Sequence, residues 1–152
     1  MGLDMFLYAE RYLSEYAKDE EEKSLLEDVQ NAIQRKMPGQ IRYITSEALY
    51  WRKANAIHNW FVKNVQEGED NCRKYYVPME KLIELRDTLN EILHNKEKVE
   101  ELLPYMRGFF FGSYNYDEYF FDEIDRTEEI LTSLIDDWKD DLSISFYYQS
   151  SW

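Results

Sequence analysis

The segment Tyr50 to Val62, which reads YWRKANAIHNWFV, concentrates the side chains of this chain that could bind a small ligand. On a helix that begins near Lys53, spacings of three and four residues place several of these side chains on adjoining stripes. A flat ring beside a cation and two amides binds a nucleobase and a phosphate, or a peptide carboxylate, by stacking and charge-assisted hydrogen bonds. The spacing therefore predicts a ligand site made of Trp51, Arg52, Asn55, His58 and Asn59.

The same segment also fits a purely structural interpretation. Large aromatic side chains dominate ordinary hydrophobic cores, so its two Trp residues could equally cover the sheet. Its cations would then pair with neighbouring acidic helices. The buried face that helical spacing predicts for this segment consists of Ala54, Ile57, Phe61 and Val65.

Cys72 and His58 are the one combination of a nucleophile and a base in the chain, and Asn55 or Asp70 could orient the base. They are weak catalytic candidates, because no glycine-rich elbow surrounds Cys72 and a free Cys is usually a small buried hydrophobe. The soft and imidazole ligands, which include His94, have spacings too irregular for a zinc site. We expect no metal and no cofactor.

Acidic residues cluster near both ends of a long helix that the sequence predicts close to its C-terminus. The first cluster contains Asp117, Asp122 and Asp125, and the second contains Asp136 and Asp137. A calcium loop would need glycine and alternating ligands, so the first cluster is more typical of a solvated helix face. Acids at a helix C-terminus oppose the macrodipole, and such an arrangement is sometimes kept for partner binding. We expect these five carboxylates to form a partner-binding surface.

Composition and charge exclude several classes of function. Of 152 residues, 44% are hydrophobic and 16% are aromatic, which predicts one folded domain that spans residues 1–152. The net charge of −13 argues against binding to nucleic acid or to an anionic membrane, and is compatible with a basic protein partner or with solubility alone. The single cysteine indicates a reducing compartment, and the N-terminus resembles neither a signal peptide nor a transmembrane helix. We therefore expect a cytoplasmic protein.

Hydrophobic periodicity predicts the elements that would position these side chains. Alternation predicts strands from Leu3, over 41–51 with a bulge near Ser46 and Glu47, and over 142–149. Helical spacing predicts helices over 20–37, 53–66, from Pro78 onward, over 97–103 and over 115–138, with a short extended piece at 75–77. The glycine-flanked segment 108–112 predicts a buried connector or a short central strand. The pattern favours an α+β fold with a small, mostly antiparallel sheet of about three strands and four to five helices packed on it.

Three stretches of the chain resemble a group of small bacteriophage and prophage proteins that have no established activity. They are MGLDMFL (Met1 to Leu7), YWRKANAIHNWFV (Tyr50 to Val62) and GFFFGSYNYDEYFF (Gly108 to Phe121). The resemblance implies a phage accessory protein in the cytoplasm of a host cell. Proteins of this kind often bind and block a host component, such as a CRISPR effector or another nucleic-acid-binding defence protein.

Three functional hypotheses follow, of which the third has the least support. The first is a non-enzymatic phage accessory protein that uses acidic helical faces and exposed Tyr residues to bind and inhibit a host protein. The alternative is a protein that binds or sequesters a nucleotide-type ligand in a pocket around Trp51 to Trp60. The third is a hydrolase that uses Cys72 and His58.

Overall fold

Four β-strands and five α-helices make up the fold in the computed structural model, which describes residues 2–34, 36–108 and 111–152. The strands are β1 (Asp4–Tyr12), β2 (Tyr43–Arg52), β3 (Tyr75–Val77) and β4 (Ile144–Ser151). The helices are α1 (Glu20–Ile33), α2 (Asn55–Asn64), α3 (Met79–His94), α4 (Val99–Leu102) and α5 (Glu118–Trp138). The predicted α+β class and helix number are confirmed.

The sheet is antiparallel throughout and has the strand order β2-β1-β4-β3. The prediction of about three strands was therefore one strand short. The fourth strand is the short extended piece β3, whose Val77 pairs with Phe146 of β4. Three residues are too few for an alternating pattern to identify a sheet strand, so the pairing becomes apparent only beside β4.

Alternation along β1 and β2 divides the sheet into a core face and an open face. Met5 and Leu7 of β1 are fully buried, and they pair with Trp51 and Leu49 of β2. The register then shifts, because the next pair after Leu7 joins Tyr8 to Glu47 and leaves Ala48 as an extra residue. The bulge lies one residue from its predicted position. Because of the extra residue, the side chains on both halves of β2 alternate between the two faces of the sheet in step with those of β1.

Helix α2 lies in the centre of the molecule. Ile57 and Phe61, which the sequence predicted to face inward, are at most 1% exposed, and the Phe61 ring stacks on Tyr148 of β4 with centroids 4.0 Å apart. All eight residues from Asn55 to Val62 are buried. The amphipathic prediction of one inward stripe was therefore too narrow, because α2 is surrounded by the sheet, by neighbouring helices and by the segment around Pro104.

The ends of two helices differ from their predicted positions. Helix α1 ends at Ile33 instead of continuing to residue 37, and none of its residues is fully buried. Helix α5 begins at Glu118 and not at residue 115, because the side chain of Asp117 caps it by accepting a hydrogen bond from the backbone N–H of Phe120 at 3.0 Å. The predicted connector at 108–112 falls partly on residues 109 and 110, which lie outside the described residues, while Phe111 is buried.

Candidate functional site

Trp51 is a core residue at the end of β2 and does not belong to the helix that follows. Its ring is fully buried and packs against Phe61 with centroids 5.8 Å apart. Its indole N–H donates to the hydroxyl of Thr127 on α5 at 2.9 Å. The ring of Trp51 is thus buried by packing and its N–H has a hydrogen-bond acceptor within the fold. The side chain connects β2 to α5.

Asn55 and Asn59 attach the segment after α4 to helix α2. The side-chain N–H of Asn59 donates to the carbonyl of Pro104 at 2.7 Å, and the side-chain oxygen of Asn55 accepts from the backbone N–H of Met106 at 2.8 Å. Both amides are at most 5% exposed. Their hydrogen bonds give the Pro104 to Met106 segment the partners that no helix or strand supplies there.

His58 is the centre of a buried polar chain. Its Nδ1 lies 2.7 Å from the hydroxyl of Tyr148, and its Nε2 lies 3.2 Å from Oδ2 of Asp70, although the second contact lacks hydrogen-bond geometry. Burial lowers the pKa of His58, while Asp70 acts in the opposite direction. Burial also raises the pKa of Tyr148. A neutral imidazole beside a carboxylate carries its proton on Nε2, so Nδ1 accepts from Tyr148.

The predicted pair of Cys72 and His58 is not assembled as a nucleophile and base. Both ring nitrogens of His58 face other groups, Tyr148 on one side and Asp70 on the other. Cys72 is half-buried with a positive φ of 57°, and its backbone carbonyl accepts a hydrogen bond from Gln149. No hydrogen bond joins the Cys72 thiol to His58 among the described residues. Because His58 is 0% exposed, a substrate could not reach it in this conformation.

The five residues of the predicted ligand site therefore do not surround one open cavity. Trp51, Asn55, His58 and Asn59 are buried, whereas the side chain of Arg52 is 66% exposed at the end of β2. The physical reason is that Trp51 belongs to the core face of a strand, and α2 has neighbours on every side. Helical spacing assumed a helix with one solvated face.

A pocket of about 580 Å³ lies between the first turn of α2 and the first turn of α5. It is lined in part by Arg52 and Asn55 of the predicted ligand segment, and also by Asp117 and Asp122 of the predicted acidic surface. Tyr105 also lines it, which the sequence did not indicate. No local pattern connects Asn55 with Tyr105, because the two are far apart in sequence and are brought together by long-range contacts such as the hydrogen bond between Asn55 and Met106.

The acidic surface that the sequence predicted lies along α5. Exposed carboxylates form one stripe along the helix, which we call the acidic stripe: Glu118, Asp122, Asp125, Glu129 and Asp136. The ion pairs at α5 and its end join Arg126 to Glu123 and Arg11 to Asp141, so the stripe has no ion-pair partner among the described residues. Two predicted members lie outside the stripe.

These two acids have different surroundings from the stripe. Asp117 caps α5, and so it already has a structural role. Asp137 lines a separate groove of about 530 Å³ between α5 and the core face of the sheet, together with Trp138. Three of the five predicted partner-binding carboxylates, Asp122, Asp125 and Asp136, thus share one exposed surface.

The open face of the sheet is rich in aromatic side chains. Tyr12, Tyr43, Tyr50 and Tyr76 are each 38–57% exposed, and the strand registers place them on the side opposite Met5 and Leu7. Between them lie half-buried rings, and four close contacts among the described residues connect the rings of this face: Phe6 with Tyr8, Phe6 with Tyr50, Tyr12 with Tyr43, and Tyr76 with Tyr147. The sequence contained the signal, because aromatic residues alternate with the buried residues of β1.

Charged groups on the open face are partly paired. The ammonium of Lys74 lies 4.4 Å from the ring centroid of Tyr147 and donates to the carboxylate of Glu10 at 2.8 Å. At the other end of the face, Arg52 and Asp4 are 4.0 Å apart. Besides these pairs, the face presents the exposed carboxylate of Glu47, which lies opposite Tyr8, and otherwise mainly aromatic rings.

Comparisons with family models, with curated proteins and with solved structures found no match to this chain. Within the described residues there is no group of three or more His, Cys, Asp or Glu side chains that could hold a metal ion. None of the described helices is long and apolar enough to cross a membrane.

Proposed function

We propose that this chain is a non-enzymatic binding protein that presents the open face of its sheet to a partner protein. The observation that carries the proposal is the cluster of exposed aromatic side chains on that face. Tyr43 and Tyr76, at opposite edges of the sheet, are both 57% exposed. Exposed aromatic patches on small proteins commonly mark interaction sites, and Tyr is enriched among the residues that dominate binding energy.

The charge of the molecule supports a basic partner. With a net charge of −13, the chain attracts positively charged surfaces over distances of about a Debye length. Such attraction accelerates association and rejects acidic competitors, while buried contacts provide most of the affinity. Aromatic rings on the open face and unpaired carboxylates on α5 thus contribute different properties to binding.

The resemblance to bacteriophage and prophage proteins gives this binding a biological setting. A host protein that binds nucleic acid has the basic surface that an acidic protein attracts. We therefore propose that the chain acts in the host cytoplasm as a phage accessory protein that inhibits a host component, of which a CRISPR effector or another defence protein is an example.

Substitutions on the open face test this function. The double variant Y43T/Y76T removes two exposed rings and keeps residues that favour β-strands. The control Y16T removes a ring that is 81% exposed and lies outside the sheet. Tagged wild type captures a partner from a bacterial host lysate, and the affinity of each variant for that purified partner is measured by calorimetry.

We expect Y43T/Y76T to weaken binding by about tenfold or more, because the variant removes two exposed aromatic rings from the proposed interface and aromatic truncations often have effects of this size. Y16T should bind as the wild type does. Equal affinities of all three proteins, with unchanged thermal unfolding, would show that the open face is not the contact surface.

A further inference from the structure

The pocket between the first turns of α2 and α5 contains a buried hydrogen-bond donor without a partner. Asn55 is 2% exposed and lines this pocket. Its side-chain oxygen must face the backbone N–H of Met106, because that N–H requires an acceptor, and this fixes the amide orientation. The Nδ2 group has no hydrogen-bond partner among the described residues. A buried donor without a partner is unfavourable, so a group from outside the chain would complete the site.

Tyr105 supplies a second donor of the same kind. Its hydroxyl is buried, lacks a partner among the described residues, and belongs to a residue that lines the same pocket. Its ring is held by stacking on Tyr116, at a centroid distance of 4.3 Å, and by an edge contact with Phe120. Burial raises the pKa of Tyr105, so the hydroxyl keeps its proton and remains a donor.

Helix α2 begins at this pocket without a side-chain cap and without an acidic residue in its first turn. Ala56 and Ile57 line the pocket, and N–H groups of a first helical turn lack intrahelical acceptors. They form the positive end of the helix macrodipole. Lys53, which lies two residues before α2 and has a positive φ of 59°, also lines the pocket and forms no ion pair with a described residue.

We propose that this pocket binds the phosphate group of a small phosphate ester about the size of a nucleoside monophosphate. The amide of Asn55, the hydroxyl of Tyr105, the first turn of α2 and the ammonium of Lys53 are all donors, and a phosphate monoester accepts them with three terminal oxygens. A carboxylate has only two oxygens for the same donors.

The remainder of the pocket has the features that the rest of such a molecule needs. Its volume of about 580 Å³ lies within the usual range for small-molecule sites. Tyr119, which is 84% exposed, provides a ring at the rim, and Asp122 provides an acceptor for a hydroxyl or an amine. This site is separate from the open face of the sheet and goes beyond the proposed function, so each can fail without the other.

Ligand-dependent thermal unfolding and titration calorimetry test the proposal with defined compounds. The probes are AMP, ribose 5-phosphate, inorganic phosphate, adenosine and succinate. We expect AMP and ribose 5-phosphate to raise Tm, and adenosine and succinate to leave it unchanged, because only a ligand that binds the folded state stabilises it. Comparison of AMP with ribose 5-phosphate shows whether a base contributes. Inorganic phosphate should bind more weakly than either ester.

Two variants identify the donors. N55D keeps the oxygen that Met106 requires and replaces the free donor by a carboxylate oxygen at the helix N-terminus. It should remain folded with a somewhat lower Tm, because the helix N-terminus offsets part of the cost of burying a carboxylate, and it should bind AMP at least about tenfold more weakly. K53N removes the cation with a residue that tolerates positive φ, and should also weaken binding. K63Q, with the same charge change at the exposed end of α2, should have no effect.

Several outcomes would overturn the proposal. Absence of a Tm shift and of binding heat with every phosphate ester would exclude the site. Equal stabilisation by adenosine and AMP, or by succinate and AMP, would exclude recognition of phosphate. Wild-type affinity of a folded N55D protein would show that the free amide of Asn55 does not contact the ligand.

Discussion

At the scale of single residues, most polar side chains of the Tyr50 to Val62 segment form contacts that hold the core together. Trp51 donates to Thr127, Asn59 donates to Pro104, and His58 contacts Tyr148. Each of these hydrogen bonds joins parts of the chain that are far apart in sequence. Residue types that suggested ligand chemistry therefore stabilise the fold here, and the exception is the Nδ2 group of Asn55, which has no hydrogen-bond partner within the described part of the chain.

Burial of His58 makes stability depend on pH. Its pKa in the folded protein is lowered mainly by burial, so the unfolded chain binds the proton more readily as pH falls through about 6.5. The contribution of His58 is complete above that pH and is lost below it. We expect the free energy of unfolding of the wild type to fall more between about pH 7.5 and 5.5 than that of H58Q, by up to about 1.4 kcal/mol per pH unit.

Urea unfolding of both proteins at the two pH values measures this difference. Glutamine can still form a hydrogen bond with Tyr148 but does not titrate, so other groups with shifted pKa values affect both proteins alike. Parallel pH profiles of wild type and H58Q would contradict a buried neutral His58.

At the scale of elements, the start of α2 is positioned by a close approach of two backbone segments. Gly112 has a positive φ of 91°, and a Cβ atom there would lie 2.9 Å from Cβ of Lys53 and 3.2 Å from its carbonyl oxygen. Lys53 itself has a left-handed backbone. Lys53, two residues before α2, is thus held against the chain that leads into α5, and this contact helps to shape the pocket between the two helices.

The variant G112A should lose more stability than the backbone strain of alanine at a positive φ alone would cause. Its control is G39A, because Gly39 has the same φ of 91° but nothing within 4 Å of an added Cβ. We expect G39A to lose about 1–2 kcal/mol from the left-handed backbone, and G112A to lose about 1–3 kcal/mol more because the added methyl group clashes with Lys53. Thermal or urea unfolding measures both. Equal losses would mean that the 112 segment moves freely away from α2.

At the scale of the whole molecule, charge and aromatic surface lie on different sides. Helices α2, α3 and α5 pack on the core face of the sheet, so the acidic stripe of α5 and the open face of the sheet point in different directions. A partner bound to the open face would experience the acidic stripe mainly through the long-range field. Contact and steering can therefore be separated by substitution.

Salt and charge reversal make this separation measurable with the captured partner. We expect the association rate constant to fall as ionic strength rises, and D122K/D125K/D136K to slow association while dissociation stays nearly unchanged. The control E21K/E27K/D28K makes the same charge change on exposed positions of α1. Stopped-flow or surface-binding kinetics measures both rates. A salt-independent association rate would exclude electrostatic steering, and equal slowing by both variants would assign it to net charge and not to the acidic stripe.

The sequence by itself determined the features that depend on local periodicity and composition. Alternation identified β1, β2 with its bulge, and β4, and helical spacing identified the inward residues Ile57 and Phe61. The acidic residues of α5 also predicted an acidic surface, because charged residues of an amphipathic helix lie on its solvent-exposed face.

Only the tertiary structure decided which side chains meet. Helical spacing could not show that α2 has neighbours on all sides, since the residues that surround it come from distant parts of the chain. Likewise, β3 was recognisable only beside β4, and Asn55 and Tyr105, which are about fifty residues apart in sequence, line one pocket only in the folded chain. Local patterns fix the faces of isolated elements, whereas burial of polar groups and the formation of a pocket depend on long-range packing.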